Sequence, residues 1–434
     1  MSGGIRGGLL CRHRDFRLLW CGETAGKFGA SITGVAMPLI AVSQLRASPF
    51  EAGLLAAAGW LPWLVIGLPA GVWVDRLPCR PVMLSAAAVS LVLYASVPVA
   101  AWAGGLSIGL LLAVALLTGT AAVFFQTAYT VYLPSLLGPE DQAEGNAKLH
   151  GSASAAQIAG LGSGGLIAQL AGAVNGMFVH ALTFLLSLLC LLGIRYREPR
   201  TDPAVRRPRA LGAEVREGLR LVADDPWLRT LTLFGAASNL ALMGYQSIQV
   251  VFLVRDVGLT PGAVGGLIAT AGAGGIVGAF AARRVAARTG TAHATLFFEL
   301  GLPAFALLIP LTTDGAGVLC YAVGGFCVSA GVVAGNVIKT GFQQSYCPPE
   351  LLGRLTASAA FLNYGTIPLG ALLGGALGAA LGPRAAMWVA TAGVPLAGLI
   401  LVFSPVGRAR ELPSSRWPHP PRGDRGLRAA REGG

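Results

Sequence analysis

The sequence predicts an all-α polytopic membrane protein: twelve transmembrane helices arranged as two pseudo-symmetric six-helix bundles. Three observations lead there. Of the 434 residues 54% are apolar and 61 are glycine, while charged residues make up 12%, about half of the ~25% usual in a soluble domain. A soluble chain of this length needs several cores coated with charge, and the charge is missing. The apolar residues also fall into twelve runs, each able to supply the ~20 residues that cross a bilayer's hydrocarbon. Finally, the second half of the chain echoes the first at a spacing near 210 residues. The same composition excludes intrinsic disorder, which goes with few apolar residues and high net charge. Seven cysteines, at 11, 21, 79, 190, 320, 327 and 347, have neither disulfide nor metal spacing.

In chain order the runs lie at 16–45, 51–74, 82–102, 106–137, 145–171 and 174–195, then 227–254, 262–285, 293–311, 316–345, 354–381 and 384–404. Breakers set their ends. Arg46-Ala-Ser-Pro49 separates the first two, Pro78 and Pro81 the next two, and Gly104-Gly105 the third from the fourth. Gly138-Pro139-Glu140 closes the fourth, and Pro348-Pro349-Glu350 closes the tenth. The first run follows a basic tail and, at about 30 residues, is too long for the apolar region of a signal peptide. Residues 1–195 thus form one bundle and 227–404 the other. The linker 196–226 carries Pro199, Pro203 and Pro208 and ends in a stretch that suits a short interfacial helix. The tail from 405, rich in Pro, Gly and Arg, is expected to be disordered.

Net charge is +12, which in a soluble protein points to nucleic acid. Position decides otherwise. With a cytoplasmic N-terminus, 27 of the 32 Lys and Arg residues fall on the cytoplasmic side and three (Arg46, Arg255, Arg384) on the outer side, with Lys27 and Lys339 inside spans. This positive-inside bias places both termini in the cytoplasm of a protein of the cytoplasmic membrane. It leaves no nucleic-acid reading.

The halves look related. Arg46-Ala-Ser-Pro-Phe-Glu-Ala-Gly-Leu-Leu matches Arg255-Asp-Val-Gly-Leu-Thr-Pro-Gly-Ala-Val, and Pro139-Glu140 matches Pro349-Glu350. Two parallel six-helix repeats indicate a secondary transporter, with its substrate site at the repeat interface near mid-membrane.

At the inner end of the second span stands Gly71-Val-Trp-Val-Asp75-Arg76-Leu-Pro-Cys-Arg80-Pro. It resembles the loop motif of the major facilitator superfamily, Gly-x-x-x-Asp-Arg followed by paired basic residues. Gly71, Asp75, Arg76 and Arg80 match, whereas Cys79 and Pro81 depart. The second-half copy, Gly278-Ala-Phe-Ala-Ala282-Arg283-Arg284, lacks the acid. Phe16-Arg-Leu-Leu-Trp20 and Gln157-Ile-Ala-Gly-Leu-Gly-Ser-Gly-Gly165 are similar to the drug, macrolide and siderophore (enterobactin-type) exporter branch. The resemblance implies the superfamily fold, alternating access and a monomer. It also implies that Asp75 latches the cytoplasmic side against the eleventh helix near Gly353-Arg354, with Gly71 letting two helices approach closely. A purely topogenic loop is the other reading. Gly160, Gly164 and Gly165 resemble the family's antiporter motif, with Leu161 in place of its proline. Their other reading is small-residue packing against the first or eighth helix.

Charges inside spans are costly and point to function. Glu23 and Lys27 are four apart on one face of the first span, and Lys27 lies ~16 Å from its start. Glu23 is the main candidate for a titrating carboxylate, and a structural ion pair is the alternative. Glu299 has no partner nearby in sequence and is either a packing charge or a second proton site. Lys339 either serves the site or snorkels to the cytoplasmic face. Phe124, Phe125, Gln126, Tyr129 and Tyr132, with Asn239, Tyr245, Gln246, Gln249, Phe326, Asn336 and Gln343, fall on the expected cavity helices. Gln157, Asn363 and Tyr364 add to them. Aromatics and amides with few fixed charges suit a bulky, largely apolar ligand.

The sequence therefore reads as a proton-coupled exporter of a hydrophobic drug-like compound or siderophore. Its partners are a small-molecule substrate, protons and the bilayer, with no cofactor or metal. Uptake or flipping of an amphiphile such as a lysophospholipid stays open, as does a non-transporting sensor of the same fold. An enzyme is disfavoured, because the five histidines cluster with no cysteine or carboxylate. No Gly-x-x-x-x-Gly-Lys-Ser/Thr occurs.

Overall fold

A computed structural model describes residues 8–75, 77–196 and 211–413. Among the described residues it is all-helical, with twelve long helices. The first six are α1 (Arg14–Leu39), α2 (Pro49–Asp75), α3 (Cys79–Trp102), α4 (Ile108–Leu136), α5 (Gln142–Leu170) and α6 (Ala173–Gly193). Then come α7 (Pro226–Val251), α8 (Pro261–Thr289) and α9, which starts as Thr291–Leu296 and continues through a π turn (Phe297–Gly301) into a 3₁₀ stretch (Pro303–Leu311). The last three are α10 (Val318–Tyr346), α11 (Pro349–Leu381) and α12 (Pro383–Val402).

Eleven of these are long and apolar enough to cross a membrane, and α5 falls short. The reason is its first half, where Asn146, His150, Ser154 and Gln157 are exposed polar side chains. That face suits water better than lipid. Its last third is small and buried, with Gly160, Gly164, Gly165 and Ala168 turned into helix contacts.

The repeat seen in sequence is a repeat of backbone device. α1 ends in a π turn, Ile40–Gln44, where Leu45 N–H donates to Ile40 O and Ala47 N–H to Ala41 O. α7 ends in a π turn, Phe252–Asp256, where Val257 N–H donates to Phe252 O and Leu259 N–H to Leu253 O. Proline then opens α2 at Pro49 and α8 at Pro261, a position where its missing N–H costs nothing.

Within the first six helices α1 packs on α5 and α6, α2 on α4, and α3 on α4 and α6. In the last six α7 packs on α11 and α12, and α10 on α8 and α9. Two seams join the groups, α2 with α11 and α5 with α8. Both are backbone contacts. A Cβ built on Gly165 would stand 2.5 Å from Gly265 Cα, and one on Gly53 would stand 2.5 Å from Ala371 O and 2.7 Å from Gly375 Cα. These seams lie at the end of the bundle remote from the termini.

Three boundaries differ from expectation. The interfacial helix is longer, Leu211–Asp224, and it packs on α11 with Val222 buried. Residues 405–413 are ordered: Ala292 N–H donates to Arg410 O, and Leu412 N–H donates to Thr291 Oγ1 at 2.8 Å. The expected disorder from 414 onward lies outside the described residues. At the N-terminus a short helix, Leu9–Arg12, buries Leu9 completely, because the first turn of α5 satisfies its amide. Leu9 N–H donates to Glu144 Oε1 at 2.9 Å, and Arg12 pairs with Asp141 at 2.9 Å.

Candidate functional site

Among the described residues, the closest backbone contacts between the bundles lie at the end remote from the termini. Midway along, a Cβ built on Gly365 would stand 3.1 Å from Leu64 Cδ1, and one on Gly272 3.2 Å from Ile158 Cγ1. Nearer the termini, a Cβ on Gly67 or Gly71 (α2), Gly151 (α5) or Gly341 (α10) would meet nothing within 4 Å. We read the space between these described residues as a vestibule toward the termini. Among the described residues, no neighbour lies within 4 Å of a Cβ built on Gly71.

α1 forms one wall, and its faces are divided by contact. Gly22 and Gly29 turn toward α6, where a Cβ built on Gly22 would stand 3.3 Å from Cys190 Cβ. Trp20 Nε1 donates to Lys148 O at 3.3 Å and Thr24 Oγ1 to Ser152 Oγ at 2.9 Å, fixing the α5 side. The remaining face carries Glu23, partly buried, and Lys27, exposed. Counting from Arg14 they lie ~14 and ~20 Å along the helix. Glu23 feels the Lys27 charge, yet no ion pair within 4.0 Å joins them. Tyr129 on α4 is near enough to feel Glu23 as well.

Around this pair are groups of mixed character. Phe125 and Tyr129 stack at 6.4 Å between centroids, and Gln126 between them is partly buried. Across the pathway Gln246 and Asn336 are exposed. Asn239 is committed elsewhere: its Nδ2 donates to Asn363 O at 3.3 Å, tying α7 to α11. The sequence reading missed Trp60 and Trp63, whose rings flank Tyr364 at 6.1 and 6.2 Å across the α2–α11 seam. Their i, i+3 spacing, which puts both on one helix face, was the available clue.

Glu299 and Lys339 are not at this vestibule wall with Glu23. They find each other inside the second bundle, with Lys339 Nζ 2.7 Å from Glu299 Oε1 and side chains 16% and 2% exposed. Lys339 thus does not snorkel, and Glu299 has a partner. The π turn Phe297–Gly301 presents Glu299 to α10, Gly335 leaves room for its carboxylate, and Phe234 of α7 lies 4.9 Å from the ammonium. A second unanticipated cluster holds α1 to α6. His180, 1% exposed, has its Nδ1 2.5 Å from Thr33 Oγ1 and rings of Tyr94 and Phe184 at 4.1 and 4.9 Å.

Of the loop motif, Asp75 ends α2, while its side chain and all of Arg76 lie outside the described residues. Arg80 donates to Leu191 O at 3.3 Å and Leu192 O at 3.0 Å, where the carbonyls at the end of α6 favour a cation. Gly160 and Gly164 face α1, where an added Cβ would stand 2.6 Å from Phe28 O and 3.1 Å from Ile32 Cα respectively, and Gly165 faces α8.

Residues 19–367 match the family model described as Major Facilitator Superfamily. The multidrug efflux pump Tap of Mycolicibacterium fortuitum is 30% identical over 406 residues, covering 91% of this chain and 96% of that protein. The enterobactin exporter EntS of Escherichia coli is 24% identical over 416 residues, covering 93% and 95%. Among solved structures, a bacterial homologue of the iron transporter ferroportin in the inward-facing state superposes with a TM-score of 0.72 at 16% identity, covering 90% of this chain and 98% of that one.

Proposed function

The chain belongs to the Major Facilitator Superfamily and is a multi-pass secondary transporter of a small molecule, not an enzyme; from that premise we propose that it exports a hydrophobic drug-like compound or siderophore in exchange for protons. The positive-inside partition supports a cytoplasmic placement of both termini. On that orientation the vestibule faces the cytoplasm and the sealed seams face outward, an inward-facing state of an alternating-access cycle.

The observation that carries the coupling is Glu23. A carboxylate ~14 Å deep, partly buried, beside an ammonium that it does not pair with, is placed to be changed by what enters the vestibule. Substrate arriving from the cytoplasm meets Phe125, Tyr129 and the exposed amides of Gln246 and Asn336. The bundles then rock so that the sealed end opens and the inner end closes, with Asp75 at the helix end that must close. A proton taken up by Glu23 from outside neutralises the carboxylate, and its loss to the cytoplasm resets the site. The similarity to a protein named a multidrug efflux pump over nearly its whole length supports export.

A second reading, movement of an amphiphile, is favoured by one feature. Val277, Gly278, Phe297, Phe298, Leu302 and Phe326 line an apolar groove among α8, α9 and α10 that could admit an acyl chain. Ethidium retention in a pump-deficient host separates the readings. Export predicts low retention that rises to the control level when a protonophore collapses the gradient. Equal retention with and without the protein, for ethidium and for a panel of lipophilic dyes, contradicts it.

A further inference from the structure

Among the described residues, the side-chain hydrogen bonds that cross between the two bundles come from Arg255. Its Nη2 donates to Ala47 O at 2.7 Å and Val42 O at 3.4 Å. Both acceptors belong to the turn that ends α1, where helix-end carbonyls lack successors to bond and carry the negative end of the helix dipole. Between them Arg46 holds φ at 52°, a left-handed conformation uncommon for a residue with a side chain. The turn is thus shaped at some cost in strain.

The donor is braced from its own side. The neighbouring Asp256 accepts from Arg384 N–H at 3.1 Å. Arg384 in turn donates to Pro310 O at 2.9 Å and Thr312 O at 3.1 Å, and lies 5.1 Å from the Phe252 ring. Glu51, which caps α2 by accepting from Ser48 N–H at 2.7 Å, is within electrostatic reach of Arg255. The guanidinium therefore bonds to two carbonyl dipoles and lies within the field of a carboxylate. The repeat-related Arg46 is exposed and makes no such crossing. Directly beneath this rim lie the backbone seams of Gly53 with Gly375 and Gly165 with Gly265.

We propose that Arg255 is the latch of the gate remote from the termini. Its bonds to Val42 and Ala47 hold the two bundles together there, and that gate opens only when they break. The role rests on the alternating-access reading and commits to no substrate. It makes Arg255 a positioning residue for the transport cycle, since it sets how often the sealed end is open.

Hydrogen–deuterium exchange of the full chain in lipid nanodiscs tests it without any transported compound. Arg255→Gln should raise amide exchange about tenfold in the gate segments containing Gly53, Gly165, Gly265 and Gly375, the low end for charged hydrogen bonds because the site is at the rim. Exchange in the middle of α10, around Val328, should stay at the wild-type rate. Arg255→Lys, which keeps a donor and the charge, should recover part of the protection. No rise in the gate segments overturns the proposal. So does an equal rise throughout the chain, which would make Arg255 a support of the fold alone. Failure of the export reading shows instead as absent dye transport by a protein whose gate still responds to Arg255.

Discussion

Lys339 Nζ lies 2.7 Å from Glu299 Oε1 within the second bundle, whereas Glu23 and Lys27, one turn apart on α1, form no ion pair. The two acid–base pairs are therefore different objects. The first is a buried ion pair that ties α9 to α10. The second is an unpaired set facing the vestibule.

The buried pair makes a prediction about stability. Lys339→Met leaves the Glu299 carboxylate without its counter-charge, and breaking such a pair costs ~3–5 kcal/mol. Glu299→Gln with Lys339→Met removes both charges and should recover most of the loss. Thermal unfolding in detergent reads both. A double variant as unstable as Lys339→Met alone contradicts the pairing.

How far the sequence reaches is clear from this pair. The helices are legible because each has its own composition and its own breakers. Pro49, Pro261, Pro349 and Pro383 all open helices in the structure. Glu23 and Lys27 are legible as a shared face, because four residues on a helix fix it. The Glu299–Lys339 contact is not, since it joins two helices and depends on the π turn at Phe297. His180 is hidden for the same reason: a lone histidine in an apolar run shows nothing of the Thr33, Tyr94 and Phe184 gathered around it.

The N-terminal strap makes a prediction about pH. The Leu9 amide hydrogen bond, followed by the Lys148 and Arg12 charges, holds the Glu144 carboxyl below its ordinary range. A lowered folded-state pKa stabilises above the unfolded value and is lost as pH falls through the folded one. Residues 8–13 should therefore become sensitive to protease under acidic conditions, below the ordinary carboxylate pKa, while remaining protected at neutral pH. Glu144→Gln should show the acid-like cleavage already at neutral pH. Protection unchanged by either treatment means that Leu9 burial alone holds the strap.

The latch assigned to Asp75 by resemblance predicts a conformational effect. Asp75→Asn should leave expression intact, slow transport and favour the state open toward the termini. A charge-assisted contact of ~1–3 kcal/mol corresponds to a five- to 150-fold change in a two-state equilibrium. Wild-type transport by Asp75→Asn assigns the motif to topology alone.

The central claim is that Glu23 couples protons to export. It is tested most directly in proteoliposomes loaded with a lipophilic dye under an imposed pH gradient, comparing the wild-type chain with Glu23→Gln. The account predicts that the wild type moves dye against its gradient, and that Glu23→Gln binds the dye with similar affinity but moves it only down its gradient. Gradient-driven accumulation by Glu23→Gln at the wild-type rate would contradict it.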